Sequence, residues 1–405
     1  MKNLRGDIIG GITVAIVALP LAIAFGISSM PGDSGGAIAG LYGAVLAGIF
    51  ATLFGGTNGL INGPTAAMIV VLATAYSQTG ISGFFLSMLI ASLMQIVLGL
   101  LKLGKHISFI PQPVITGFTN GIGITIFISK FEDFNTSPKI ALLVIAVMFI
   151  PIIASYFKKN SAAQKITGFF KFVPASLVGL LLAVAAAKLF FTDAQLIGAI
   201  PSGLPTFRLP EFIGVDFALV LKNAAVLCLL ASIESLLGGV VVDDLLDQRS
   251  NPNKELIGQG IGNTIATLFG GLMGTGAIIR SAVNVNSGGR TKLSGIIHGV
   301  IIFLVIIKFG YLAESIPVAA LAGILMVTAF RMIEFESLKM LKNVPKSDAF
   351  VMVITMLITV IHDLMLAVAV GTALSAILFT AKMSRHSQIT YRKREIGRAS
   401  CRERG

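Results

Sequence analysis

The chain has 405 residues, of which 55% are hydrophobic and only 12% are charged, and its formal net charge is +12. Because soluble globular proteins carry about 25% charged residues, this composition excludes an ordinary soluble domain. Residues 34–101 contain no Asp, Glu, Lys, Arg or His, which is enough for two or three bilayer-spanning helices of about 20 residues each. The sequence therefore predicts an all-α polytopic membrane protein.

The positive charge does not indicate a nucleic-acid partner. Nucleic-acid-binding proteins cluster Lys and Arg on one solvated face, whereas the basic residues here lie in short loops and in the tail from Lys382 to Arg404. The two cysteines, Cys228 and Cys401, form neither a disulfide framework nor a metal-ligand pattern. No motif for nucleotide binding or catalysis stands in a suitable context. We therefore expect no cofactor and no enzymatic activity.

Charged and Gly- or Pro-rich interruptions divide the chain into about fourteen apolar segments. The first follows a charged start but lacks a cleavage site, so we interpret it as a retained span. The first half holds segments 8–29, 36–55, 63–77, 81–101, 107–130, 139–157 and 172–191. The second half holds segments 217–241, 255–271, 276–289, 293–312, 316–332, 348–361 and 363–382. This predicts one transport domain over residues 1–383, with repeats at about 8–191 and 217–383, and a basic cytoplasmic tail at 384–405.

The charged loops predict the orientation. With a cytoplasmic N-terminus and fourteen crossings, the loops carrying Lys102, Lys158, Arg290 and Lys339 all fall inside, together with the basic tail. The acidic loop 192–216 falls outside. This distribution follows the positive-inside rule, so we expect a multi-pass protein of the inner (cytoplasmic) membrane with both termini in the cytoplasm.

Two of the segments, 63–77 and 276–289, are short and follow the glycine-rich stretches 55–59 and 270–274. They are the third and the tenth segments, so they occupy corresponding places in two halves of opposite orientation. Paired, Gly-interrupted segments of this kind are typical of inverted-repeat transporters. The alternative is that these glycines serve only close helix packing, which is the role we predict for residues 258–262.

A half-helix that begins in mid-membrane leaves its first backbone N–H groups unpaired. These groups, together with the positive end of the helix dipole, favour an anion. Pro64 precedes Thr65 and suits a helix's first turn, and Gly276 and Ala277 are small enough for an ion to reach the backbone. The sequence predicts a small-anion site where the two half-helices start head to head.

Two ionisable residues lie within apolar segments, Arg280 in the tenth and Glu234 in the eighth. An intramembrane arginine costs at least about 2.5–3.5 kcal/mol, so it usually serves a pathway or a partner; snorkelling to the interface is the alternative. A buried carboxylate either pairs, binds a cation or takes a proton. Pairing with Arg280 is therefore the structural alternative for Glu234.

At these positions the chain resembles the SulP/SLC26 family of anion transporters, and bacterial bicarbonate and sulfate transporters in particular. The resemblance is carried by residues 18–26 (ALPLAIAFG), 63–65 (GPT), 117–123 (GFTNGIG), 254–260 (KELIGQG) and 280–295 (RSAVNVNSGGRTKLSG). It implies fourteen segments in two inverted seven-segment repeats, with core and gate domains and with segments 3 and 10 as half-helices. It also implies a homodimer.

The resemblance further implies which residues form the site. The anion would be lined by Thr65, Ala66, Gly276, Ala277 and Ile278, with Arg280 supplying positive potential, and Glu234 would be the coupling residue. Sodium-coupled relatives tend to have Asp at that acidic position and a hydroxyl residue four positions later. This chain has Glu234 and Gly238, so we expect coupling to H⁺, or anion exchange, rather than Na⁺ symport.

Family members usually continue into a cytoplasmic STAS domain, which residues 396–405 do not resemble, so we interpret the tail as truncated or non-native. A nucleobase transporter of similar architecture is the nearest alternative function. Such proteins bind a neutral heterocycle through carboxylates from both halves, whereas the tenth segment here offers Arg280. An anion channel is a further alternative, although no pore-lining polar ring is evident.

Overall fold

The computed structural model describes residues 3–107, 111–156, 164, 167–170, 174–197, 204–210, 214–335, 345–361, 366–367, 370–378 and 380. The predicted tail 384–405 and much of the predicted last segment, 363–382, lie outside them. The elements are α1 (Leu4–Ser29), α2 (Gly36–Phe54), β1 (Asn62–Gly63), α3 (Ala66–Leu100), α4 (Gly104–Ile107), α5 (Gln112–Ser129), α6 (Phe131–Thr136), α7 (Pro138–Tyr156), α8 (Ala175–Phe190), α9 (Phe217–Leu246), α10 (Pro252–Leu268), β2 (Thr275–Gly276), α11 (Ile278–Asn286), α12 (Lys292–Ala313), α13 (Val318–Met332) and α14 (Lys346–Ile361).

Six helical stretches among the described residues are long and apolar enough to cross a membrane. They are α1, α2, α3, residues 112–136, most of α7, and α9. Two shorter apolar helices, α8 and α13, add to these. The lengths agree with a polytopic membrane protein, since about 20 apolar residues cross the hydrocarbon core.

The predicted third and fourth segments form one helix with a sharp break. α3 has 35 residues, about 52 Å at 1.5 Å per residue, which is far longer than the bilayer's hydrocarbon core of about 30 Å. The break lies at Gly80, where φ is 63° and ψ is −174°. Glycine adopts this conformation without the steric penalty of a Cβ atom. The third segment is therefore a short half-helix, residues 66–79, and the fourth begins at residue 81 as predicted.

The two-residue strands β1 and β2 were not predicted. The sequence analysis placed Gly63 and Gly276 inside helical segments, and the structure places both in strands. The physical reason is that backbone approaching a half-helix at membrane depth must still satisfy its polar groups. Hydrogen bonds to a second strand satisfy these groups where the backbone is not helical. The short helices α4 and α6 were not predicted either.

Glycine lets α10 approach its neighbours closely, as predicted for residues 258–262. A Cβ atom at Gly258 would lie 2.2 Å from the Gly55 nitrogen, and one at Gly262 would lie 2.5 Å from the Ala51 nitrogen. On the side facing α3, a Cβ atom at Gly260 would lie 2.6 Å from the carbonyl oxygen of Ser92. Only glycine permits such separations, so α10 is held tightly between α2 and α3.

The described chain divides into two compact units, residues 1–109 with 125–331, and residues 110–124 with 332–405. In the smaller unit, a Cβ atom at Gly117 would lie 2.3 Å from the Met352 carbonyl oxygen. The Glu334 N–H donates a 2.7 Å hydrogen bond to Oδ1 of Asn120. The larger unit contains α1–α4, α6–α12, most of α13 and both strands, and with them every residue of the predicted site.

Candidate functional site

The starts of α3 and α11 meet because the strands that precede them pair with each other. β1 and β2 are antiparallel, with Asn62 opposite Gly276 and Gly63 opposite Thr275. Both strands are buried. Since the two chains of an antiparallel pair run in opposite directions, the helices that follow lead away from a common point, and their N-termini face it.

Neither of these helix starts is capped by a side chain. The N-cap residue of α3 is Thr65 and that of α11 is Ala277, and neither makes a side-chain capping bond. Thr is a favoured N-cap residue, but its hydroxyl here bonds elsewhere, and Ala has no capping group. The Met68 N–H donates to the Thr65 carbonyl oxygen at 3.2 Å. No side chain caps the other first-turn N–H groups, and each helix start carries the positive end of its dipole.

Glu234 lies on α9 and bonds directly to the N-cap residue of α3. Oγ1 of Thr65 donates a 2.8 Å hydrogen bond to Oε2 of Glu234 and lies 3.0 Å from Oγ1 of Thr275. Either threonine hydroxyl can be the donor in the contact between them, and Thr275 also hydrogen-bonds to Glu234. A short chain of polar groups thus joins Glu234 to both strand–helix junctions.

Arg280 connects the start of α11 to the start of α3. Its side chain is only 4% exposed, and its Nη2 donates a 2.7 Å hydrogen bond to the carbonyl oxygen of Pro64. The snorkelling alternative is therefore wrong. Both Arg280 and Glu234 lie within the described residues, and no salt bridge joins them. The guanidinium is held at Pro64, just before the N-terminus of α3, so its charge adds to the positive potential of that helix end.

α9 also packs closely against β2. Oγ of Ser235 accepts a 3.1 Å hydrogen bond from the Gly276 N–H. One turn further along, a Cβ atom at Gly238 would lie 2.6 Å from the Gly276 carbonyl oxygen. A side chain with an oxygen ligand does not fit at position 238 without moving α9 away from the strand.

The structure brings the predicted site residues to one junction within the larger unit: Thr65 and Ala66 at the start of α3, Gly276 in β2, Ala277, Ile278 and Arg280 at the start of α11, and Glu234 on α9. Their roles remain predictions. The sequence analysis missed Thr275 and Ser235, whose hydroxyls bond to this group. A signal was present, because Thr275 directly follows the glycine-rich stretch 270–274 and Ser235 adjoins Glu234.

Comparison with known proteins agrees with this architecture. The sequence model of the Sulfate permease family matches residues 4–140 and 130–355. The chain belongs to this family. Curated relatives include the bicarbonate transporter BicA of Picosynechococcus sp., 38% identical over 95% of this chain and 71% of the relative. The putative sulfate transporter YvdB of Bacillus subtilis is 34% identical over 96% of this chain and 76% of the relative.

Solved structures show the same fold. The transmembrane domain of a cyanobacterial bicarbonate transporter BicA aligns with a TM-score of 0.80 at 38% identity, covering 91% of this chain and 98% of that one. The structure of SLC26A9 aligns with a TM-score of 0.81 at 16% identity, covering 94% of this chain and 66% of that one. The predicted fold, a polytopic helical membrane protein of two inverted repeats, is confirmed. The curated relatives are named as transporters rather than enzymes.

Proposed function

We propose that this protein is a secondary active transporter of a small inorganic anion, bicarbonate or sulfate, working by alternating access. The observation that carries the proposal is the pair of uncapped helix starts that β1 and β2 hold head to head. A buried point where two positive helix ends converge next to Arg280 favours an anion. The names of the family's curated members, bicarbonate and sulfate transporters, support this choice.

We further propose that Thr65, Ala66, Gly276, Ala277 and Ile278 line the anion site and that Arg280 sets its potential. Thr65 and Ala277 are the residues from which the two half-helices begin. The small side chain of Ala66 lets an ion approach the backbone at the start of α3, and Gly276, whose own N–H bonds to Ser235, adds no side chain that would block the start of α11. The site resides in the inner membrane, with both termini in the cytoplasm, in a protein that acts as a homodimer.

Glu234 is the proposed coupling residue, with H⁺ or anion exchange favoured over Na⁺. Its carboxylate bonds to the N-cap residue of α3, so a change in its charge alters the potential at the start of that helix. Gly238 supports this preference, because the 2.6 Å approach to Gly276 leaves no room for an oxygen-bearing side chain that would complete a Na⁺ shell. Sodium prefers several oxygen ligands, as hard cations do.

Uptake by purified protein in liposomes tests both parts of the proposal. Radiolabelled bicarbonate, sulfate, a dicarboxylate and uracil are compared under an imposed H⁺ or Na⁺ gradient, in wild type and in Glu234→Gln. Asp243→Asn is the matched control, since it makes the same acid-to-amide change at the far end of α9, where Asp243 bonds to Ser250. We expect anion uptake that a proton gradient accelerates in wild type and Asp243→Asn but not in Glu234→Gln.

Other results of the uptake experiment would each contradict one part of the proposed function. Uptake of uracil without any anion would replace the anion proposal by nucleobase transport. Unsaturable anion flux would indicate a channel. Proton-accelerated uptake that survives in Glu234→Gln would assign coupling to a different residue, and acceleration by Na⁺ alone would contradict the preference for H⁺ or exchange.

A further inference from the structure

Three buried polar residues stand one helical turn apart on α10. Glu255, Gln259 and Asn263 occupy positions i, i+4 and i+8, so they lie on one face of the helix. Their exposed fractions are 2%, 0% and 0%. Buried polar groups are costly unless they are bonded, and every one of these side chains bonds to a segment that leads into the proposed anion site. We call these residues the α10 polar stripe.

The first two members of the stripe hold the segment leading into α3. Oε2 of Glu255 accepts hydrogen bonds from the backbone N–H groups of Gly56 and Thr57, at 2.8 and 2.9 Å. Nε2 of Gln259 donates to Oε1 of Glu255 at 3.0 Å and also to Oδ1 of Asn62 in β1. The approach to the first half-helix is thus fixed at two points by α10.

The third member holds the segment leading into α11. Oδ1 of Asn263 accepts from the Gly274 N–H at 2.8 Å, and Nδ2 donates to the carbonyl oxygen of Gly274 at 3.0 Å. The same Nδ2 donates to Oε1 of Gln95 at 2.9 Å, which ties the amide to α3. Gly274 in turn packs on β1, since a Cβ atom there would lie 2.4 Å from the carbonyl carbon of Gly63.

One helix, α10, therefore bonds both to β1 and to the residue just before β2. Residues 259 and 263 are separated by about 6 Å along the axis of α10, which is close to the separation of about 4.8 Å between neighbouring strands. The amide at 259 binds the strand of the first repeat, and the amide at 263 binds the segment before the strand of the second.

From these contacts we propose that the α10 polar stripe is a specificity-determining scaffold: it sets the separation of the two half-helix starts and thereby the size of the anion that fits between them. Its residues are positioning residues that act through β1 and β2. The effect on anion choice rests on the proposed anion transport, whereas the effect on the strands does not.

The test compares Asn263→Leu with Thr264→Val. Leu branches at Cγ into two terminal groups as Asn does, although it is larger, and it cannot bond to Gly274 or Gln95. Thr264 is the next residue of α10, and its Oγ1 bonds to Oγ of Ser92 at 3.0 Å, so the control loses an interhelical hydrogen bond without touching either strand. Asn263→Asp is the conservative variant, because it keeps an acceptor for the Gly274 N–H. Thermal unfolding of each purified variant identifies any that fail to fold.

The first readout is hydrogen–deuterium exchange of residues 56–65 and 270–277, which requires no transport. We expect Asn263→Leu to speed exchange at least tenfold in both segments, including the first, to which Asn263 makes no bond. Thr264→Val should leave both unchanged, and Asn263→Asp should lie between. The proposal that the stripe sets the strand separation would be overturned if Asn263→Leu sped exchange only in residues 270–277. It would also be overturned if Thr264→Val sped exchange as much as Asn263→Leu does.

The second readout is the ratio of bicarbonate to sulfate uptake in liposomes. We expect Asn263→Leu to change this ratio at least tenfold, whereas a merely structural loss would lower both rates in proportion. A constant ratio in a variant whose exchange has risen would overturn the effect on specificity. If wild type moves no anion, the proposed function fails, and the exchange measurement alone decides the role of the stripe.

Discussion

Arg280 both holds the segment before α3 by a hydrogen bond and places a positive charge near the start of that helix. Its Nη2 bonds to the Pro64 carbonyl oxygen, so its charge lies two residues before the first residue of α3. We expect Arg280→Gln to weaken anion binding at least tenfold, about 1.4 kcal/mol, and Arg280→Lys to retain most of the affinity because it keeps the charge. Arg331→Gln is the matched control, since Arg331 bonds to the Met148 carbonyl oxygen away from the site. Equal anion affinities in the Arg280→Gln and Arg331→Gln proteins would show that the charge at 280 has no role in binding.

Thr65 has a comparable role at the residue level, through its hydroxyl. In Thr65→Val the Glu234 carboxylate loses one of its hydroxyl donors and keeps its bond to Thr275, and the loss of a hydrogen bond to a charged group costs about 1–3 kcal/mol. We expect thermal unfolding to reveal this loss and Thr65→Ser to restore stability. Thr74→Val on the same helix should change little, because the Thr74 hydroxyl bonds only to the Val70 carbonyl oxygen at an exposed position. A Thr65→Val protein as stable as Thr74→Val would argue against the bond to Glu234.

At the level of elements, the approach of α9 to β2 depends on Gly238. A Cβ atom there would lie 2.6 Å from the Gly276 carbonyl oxygen, whereas one at Gly239 would meet only Oγ1 of Thr57, at 3.3 Å. We therefore expect Gly238→Ala to destabilise the protein by about 1–3 kcal/mol through overpacking and to reduce anion uptake. Gly239→Ala should be tolerated, because Ala also favours the helix. Anion uptake and thermal unfolding are measured for both variants. Equal uptake and equal stability in the two would contradict the close approach of α9 to β2.

The sequence predicted the elements better than the contacts between them. Apolar runs located most of the helices within a few residues, because a spanning length and its polar boundaries are local properties. The glycine-rich stretches located the two half-helices, and unpaired charges identified Glu234 and Arg280. Neither β1 nor the bonds of Gln259 to Asn62 and of Asn263 to Gln95 could be predicted, because they join residues far apart in sequence. The residue types involved, an amide or a glycine within a helix, are also found where helices simply pack together, so they do not by themselves indicate these bonds.

For the whole molecule, the charge distribution predicts an orientation that can be tested directly. With Cys228 and Cys401 replaced by Ser, single cysteines are introduced at the exposed positions Ser34, between α1 and α2, and Arg249, between α9 and α10. We expect a membrane-impermeant maleimide to label Ser34→Cys in intact cells and Arg249→Cys only after permeabilisation. Counting fourteen crossings from a cytoplasmic N-terminus, the orientation that the positive-inside rule favours, places residue 34 outside and residue 249 in the cytoplasm. The reverse pattern would invert the topology and the direction of the proposed gradient coupling.

The pairing of β1 with β2 also has a consequence for biosynthesis. The two hydroxyls that meet at the site, those of Thr65 and Thr275, are 210 residues apart in the chain. While the ribosome is still making the second repeat, β1 has no partner strand, and its polar backbone must be tolerated by lipid, water or a chaperone. Long-range pairing of this kind is slow to form because loop closure comes first. The proposed anion site is thus among the last parts of the newly made protein to mature, and a nascent chain released before α11 is complete would lack one of the two half-helix starts that form it.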